Sequence, residues 1–167
     1  MFTSIEQFKN VWQQESNSTR KVMEKLSDEI LIIEVAEGFR NIGRMAWHIV
    51  LTIPDMARRM GLAGDGPEEN APVPKGASEI KSTYDRVASS LLEHVTANWR
   101  DETLLVEDDM FGEKWKRGTS LYGLLRHEIH HRAQLVVLLR QAGVAVPGVY
   151  GPAKEEWAQF GMQPPEV

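Results

Sequence analysis

The sequence predicts an all-α protein, a four-helix bundle formed as a single domain over residues 1–167. Four segments of about 20 residues repeat apolar side chains at helical spacing, and runs rich in Gly and Pro fall between them. With 167 residues the chain can bury a core unaided, and it has no Cys with which to staple one.

The first helix starts at Thr3 or Ser4, where Ser4-Ile5-Glu6-Gln7 fits a capping box, and its stripe runs Ile5, Phe8, Trp12, Val22, Leu26. Glu15 and Thr19 interrupt that stripe, either as a solvent-facing break or as a polar reach toward an internal site. The second helix spans 40–60, with Ile42, Ala46, Ile49, Ile53 and Met56 on one side, Pro54 expected to kink it and Gly61 placed as its C-cap. Residues 61–77, "GLAGDGPEENAPVPKGA", read as a long connection and not a domain boundary, because neither half alone could bury its stripes. A third helix over 78–99, with Ser78 as N-cap, aligns Ile80, Tyr84, Val87, Leu91 and Val95. Residues 101–118 lose the helical period around Gly112 and suggest a small hairpin.

The fourth helix runs from Thr119 or Ser120 to Gly143. Leu124, His127, His131, Gln134, Leu135 and Leu138 share one face, whereas Leu125, Ile129 and Val136 make a second apolar strip nearly opposite. That second strip needs a cover, and a second copy in a homodimer is the expected one. The tail is punctuated by Pro147, Gly148, Gly151 and Pro152, with one helical turn expected over 154–160.

Charge and hydropathy narrow the partners. The formal net charge is −5 with basic residues scattered among acids, which argues against nucleic acid. The N-terminal "MFTSIEQFKN" lacks a basic and apolar leader, and no run approaches a membrane span, so a cytoplasmic protein without a membrane partner is expected.

The chemistry concentrates in "LLRHEIHHRAQL". His127-Glu128-Ile129-His130-His131 satisfies H-E-x-x-H, the pattern in which two imidazoles on one helix face share a zinc ion and the Glu serves as base. The longer protease pattern fails, because Gln134 and Val137 stand where Gly and His would follow. A downstream carboxylate ligand, Glu155 or Glu156, lies at a tolerable spacing, but no sheet edge for a peptide substrate precedes His127. The alternative third ligand is His48 in "GRMAWHIVL", which could meet His127 and His131 across a bundle. A lone His beside an apolar stripe is ordinarily a hydrogen-bonded core residue. Gln134 and Glu15 are candidates for supporting contacts to such a site, and His94 for a fourth ligand, though a core or bundle-end position suits His94 better. His130 is turned from the His127/His131 bisector.

The strings "RNIGRMAWHIV", "HEIHHRAQL" and "LRQAGVAVPGVYGPAKEEW" together resemble the DinB-like family of bacterial proteins, also described as DinB/YfiT-like metalloenzymes, over nearly the whole chain. The resemblance implies an up-down-down-up four-helix bundle with a long crossover between helices 2 and 3, commonly dimeric. It also implies a divalent metal, often zinc or nickel, held by His48, His127 and His131. Ala133 departs from the Gly common before the Gln, a small-for-small change that touches no ligand.

Three neutral imidazoles would leave the charge of a dication uncompensated, so its open positions would favour hydroxide, carboxylate or thiolate. Members of the wider superfamily include transferases that use low-molecular-weight thiols and metal-dependent hydrolases. The leading expectation is therefore a metal-dependent transferase joining such a thiol to a small electrophile. A hydrolase and a non-catalytic, metal-stabilised binding protein are the alternatives.

Overall fold

The computed structural model describes residues 1–166. Its long elements are α1 (Ile5–Met23), α2 (Ile42–Arg59), α3 (Ala77–Asn98) and α4 (Arg117–Gln141), joined by short 3-10 turns at Asp28–Ile30 and Asp101–Leu105 and followed by one at Lys154–Phe160. A single antiparallel hairpin, β1 (Glu107–Met110) and β2 (Glu113–Lys116), precedes α4. The all-α expectation holds in this form, helical with one small sheet. No described helix is long and apolar enough to cross a membrane.

The helix ends show why these segments fold. Ser4 Oγ accepts the Gln7 amide proton at 3.1 Å, while Gln7 Oε1 accepts from the Thr3 amide, so orphan donors at the start of α1 are satisfied. Asn41 Oδ1 does the same for the Arg44 amide at 2.7 Å, and Gly61 ends α2 with φ +75°, a conformation that L side chains resist. Pro54 lies inside α2, and the helix continues through it to Arg59. Ser78 does not cap α3. That helix begins at Ala77, whose amide donates to Asp28 Oδ1 at 2.7 Å, a cap supplied from far along the chain and invisible to a local pattern.

α1 and α2 each pack against both α3 and α4. Trp12 Nε1 donates to the Ala88 carbonyl and Arg20 pairs with Asp85, so α1 and α3 run antiparallel. Phe2 bonds Gly118 and Glu15 meets Arg132, which sets α1 parallel to α4. Gly66 is wedged between Pro54 and Val87, and Gly43 lies against Leu31 and Val73 just ahead of α3, so α2 and α3 run parallel and the connection 61–76 must cross over.

The core face of α4 differs from the expected one. Its buried line passes through Leu121, Leu124, Glu128, Arg132, Leu135 and Leu139, with His127 and His131 on the flank. Two charged residues occupy the centre of a core-facing stripe because α1 and α3 supply their partners. The supposed second strip is largely covered by the chain itself: Leu125 is buried, and Ile129 and Val136 pack partly buried on the core. The reason for invoking a second copy there falls away.

At the hairpin tip Phe111 and Gly112 both have positive φ, +59° and +88°, the geometry of a two-residue turn whose twist matches the strands. For Phe this conformation is strained. The Arg59 guanidinium covers its ring at 4.2 Å, which helps to offset the strain and fixes the tip over α2.

Candidate metal centre

His48 lies about two turns into α2, and His127 and His131 lie one turn apart on α4, which packs antiparallel across it. Each offers a ring nitrogen, and the three nitrogens lie within 4.8 Å of one another. The Nε2 atoms of His48 and His127 are 3.1 Å apart. The His131 Nδ1–H donates to Gln134 Oε1 at 2.7 Å, which fixes its tautomer and leaves the lone pair on Nε2.

Electrostatics favours neutral rings. Partial burial, then the neighbouring imidazoles and the guanidiniums of Arg40 and Arg44, lower the His48 pKa to about 4. Burial, His131, His130 and Arg40 lower that of His127 to about 4 as well. Burial also lowers His131, partly opposed by the Gln134 hydrogen bond. Near neutral pH these are lone-pair donors.

A divalent ion fits this set on the structure's own terms. Two Nε2 atoms at 3.1 Å can share one proton at most, and His127 Nδ1 is buried without a partner. Three neutral nitrogens from two rigid helices form a donor group that suits zinc or another borderline ion, and no Cys or carboxylate joins the cluster among the described residues.

Glu128, the residue that a protease would need in the cleft, is fully buried on the other side of α4. Its Oε1 accepts from Thr19 Oγ1 and the Tyr84 hydroxyl, each at 2.7 Å, and burial raises its pKa. Glu155 forms a two-bond pair with Arg140, and Glu156 accepts from the backbone amides of Gly148 and Ala153. Glu15 is buried with Arg132, its Oε2 receiving that guanidinium at 2.6 Å and the Tyr150 hydroxyl at 2.8 Å. It makes no recorded contact with the three histidines. His94 pairs with Asp65 on the crossover at 2.6 Å and stands outside the cluster. His130 is exposed, its ring centroid 4.9 Å from that of His131.

A cleft of about 430 Å³ opens beside the histidines, lined by His48 and His127, by Arg40, Arg44, Leu51 and Met56, and by Phe111 and Trp115 of the hairpin. Gly123 allows this arrangement, since a Cβ there would stand 3.3 Å from the Trp115 indole. Trp115 packs partly buried against the core and also forms part of the cleft wall. Sequence reasoning missed Arg40 and Arg44 as site residues, although their i, i+4, i+8 spacing with His48 was readable as one helix face.

Comparison with known proteins follows the same lines. The sequence model of the DinB family matches residues 1–166. "Uncharacterized protein YrdA" of Bacillus subtilis (strain 168) is 37% identical over 167 residues, covering 100% of both chains. The crystal structure of a DinB-like protein from Bacillus cereus ATCC 10987 is 40% identical, with a TM-score of 0.87 over 90% of this chain and 100% of that one. A DinB-like protein, YjoA, from Bacillus subtilis shares the fold at 21% identity, with a TM-score of 0.68 over 86% of this chain and 97% of that one.

Proposed function

This chain belongs to the DinB family, and from that premise we propose that it is a metal-dependent enzyme that joins a low-molecular-weight thiol to a small electrophile. Its scaffold, on this reading, is an up-down-down-up four-helix bundle, supported by the antiparallel α1–α3 and parallel α2–α3 contacts. The observation that carries the proposal is the convergence of His48, His127 and His131 within 4.8 Å at the edge of an open cleft.

A divalent ion, zinc or nickel by the chemistry of the donors, would supply Lewis acidity that lowers the pKa of an entering thiol or water. The chain's own residues do the rest. The three imidazoles hold position from rigid helices, and Gln134 keeps the His131 lone pair on Nε2. Phe111 and Trp115 give the cleft an aromatic lining. Of the nearby carboxylates, Glu128 faces the interior and Asp55 is held by Arg59 at 3.1 Å, so Glu69 is the one acid of the cleft lining left to serve as a base for water. A thiol needs no such base once its proton is lost.

Elemental analysis of the purified protein and of His48→Ala, together with conjugation assays using several small thiols and an aromatic electrophile, tests this. We expect about one divalent ion per chain, retained poorly by the variant, and thiol conjugation that chelation abolishes. A metal-loaded protein inert with every thiol would sink the transferase.

A further inference from the structure

Arg40, Arg44 and His48 follow one another at intervals of four residues, from the N-terminal approach of α2 into its second turn, and all three line the cleft. The two arginines have no carboxylate partner within ion-pair distance among the described residues, whereas Arg20, Arg58, Arg59, Arg117, Arg132 and Arg140 each have one. The acids that line the same cleft do not cancel them. Asp55 is taken by Arg59, which leaves Glu69 as the one unpaired carboxylate of the lining beside the two arginines. Both arginines are exposed, so their guanidiniums are open to an entering anion. The same cleft is also lined by the apolar side chains of Leu51, Met56, Phe111 and Trp115.

A cleft lined by two unpaired guanidiniums and by aromatic rings selects for a particular chemistry. Planar guanidinium forks match a carboxylate with two parallel hydrogen bonds, and rings reward an apolar skeleton. We propose that Arg40 and Arg44 form an anion clamp and that the ligand of this cleft is a small carboxylate with an apolar body. The proposal deepens the reading above by giving the small molecule at the His48 site its chemical class, yet the clamp does not need the ion. Phe111 explains its strained φ on this view: the turn holds an aromatic ring where the ligand's body would lie, with Arg59 clamped behind it.

The test uses phenylacetate as probe, its neutral isostere phenylacetamide, and inorganic phosphate. Binding is measured by calorimetry on chelator-treated and zinc-loaded protein. The proteins are wild type, Arg40→Gln/Arg44→Gln, Arg40→Lys/Arg44→Lys, and Arg86→Gln, whose side chain lies on α3 away from the cleft. The clamp predicts saturable phenylacetate binding to the chelated wild type, at least about tenfold tighter than phenylacetamide, and a loss of about tenfold or more in the double Gln variant. The Lys variant should recover part of that loss, and Arg86→Gln should behave as wild type, with circular dichroism unchanged throughout. Equal affinity of wild type and the double Gln variant, equal affinity for acid and amide, phosphate competing as well as phenylacetate, or no saturable binding at all would each overturn it. Failure of the metal reading looks different. If elemental analysis finds no ion while Arg-dependent binding persists, the clamp stands and the metal enzyme falls. If phenylacetate binds only the zinc-loaded form and ignores the Arg changes, the reverse holds.

Discussion

Gln134 does more for the centre than its exposed position suggests. Its amide oxygen receives the Nδ1 proton of His131 at 2.7 Å and so decides which nitrogen of that ring carries a lone pair. Partners of this sort typically contribute about 10- to 100-fold to metal affinity. Gln134→Leu should therefore weaken zinc binding by roughly that factor with His48 and His127 untouched, read by competition with a chromogenic chelator. Gln134→Glu should restore or exceed wild-type affinity, because a carboxylate accepts the same proton more strongly. Equal affinity in Gln134→Leu would show that the hydrogen bond is incidental. This contact was readable from the i, i+3 spacing of His131 and Gln134. The unpartnered Nδ1 of His127 was not, since burial of one ring nitrogen depends on what the other helices bring.

At the scale of the helix, α4 carries two chemistries on adjacent residues. His127 and His131 face α2, while Glu128 and Arg132, about 100° further round, enter the interior. There Arg132 binds Glu15 and Tyr150, and Thr19 and Tyr84 donate to Glu128. Both members of the Arg132–Glu15 pair are buried, so removing one leaves the other uncompensated. Glu15→Ala should destabilise the protein by about 3–5 kcal/mol in urea unfolding. A paired apolar replacement, Glu15→Leu with Arg132→Met, should cost far less than the single change, because it removes both charges together. If the double variant is as unstable as the single one, packing and not charge explains the loss. Glu15 and Thr19 were visible in the sequence as breaks in the α1 stripe. Their meaning was not, because the complementary breaks at Glu128 and Arg132 lie over 100 residues away and a stripe read one helix at a time cannot pair them. The same limit misplaced the core face of α4 toward the histidines and created a need for an outside cover. Single-helix features fared better: the caps at Ser4 and Gly61 and the hairpin around Gly112 stand where local chemistry puts them.

For the molecule as a whole the histidines make stability depend on pH in a definite window. In the chelated protein the folded pKa of His48 and of His127 is about 4, against 6.5 for the free side chain. Between those values the unfolded chain binds more protons than the folded one, so stability must fall as pH drops from about 6.5 toward 4 and be flat for these groups above that range. Thermal unfolding of the chelated protein at pH 7.5, 6.0 and 5.0 should show a falling Tm, with a shallower fall in His48→Gln. A pH-independent Tm in both proteins would remove the depressed pKa values from the account. The parallel and antiparallel pairings of the four helices follow from where the long crossover and the hairpin place the chain, which amphipathic patterns cannot specify alone. The crossover itself was legible as a Gly- and Pro-rich run, and the structure fastens it with Arg58 on the carbonyls of Gly64 and Pro67, Trp47 on that of Ala71, and His94 on Asp65.

The placing of two neighbouring faces on α4 also bears on how such a sequence can change over generations. The interior contacts of Glu128 and Arg132 help to set the position of the same helix that carries His127 and His131. Glu15, Thr19 and Tyr84 never touch the cleft, yet they are tied to its geometry through that helix. Lineages would then be expected to exchange these interior residues as a set or leave them alone, while the cleft wall on the hairpin, which rests on Arg59 of α2 and on Arg117 at the very start of α4, is freer to diverge and take up new ligands.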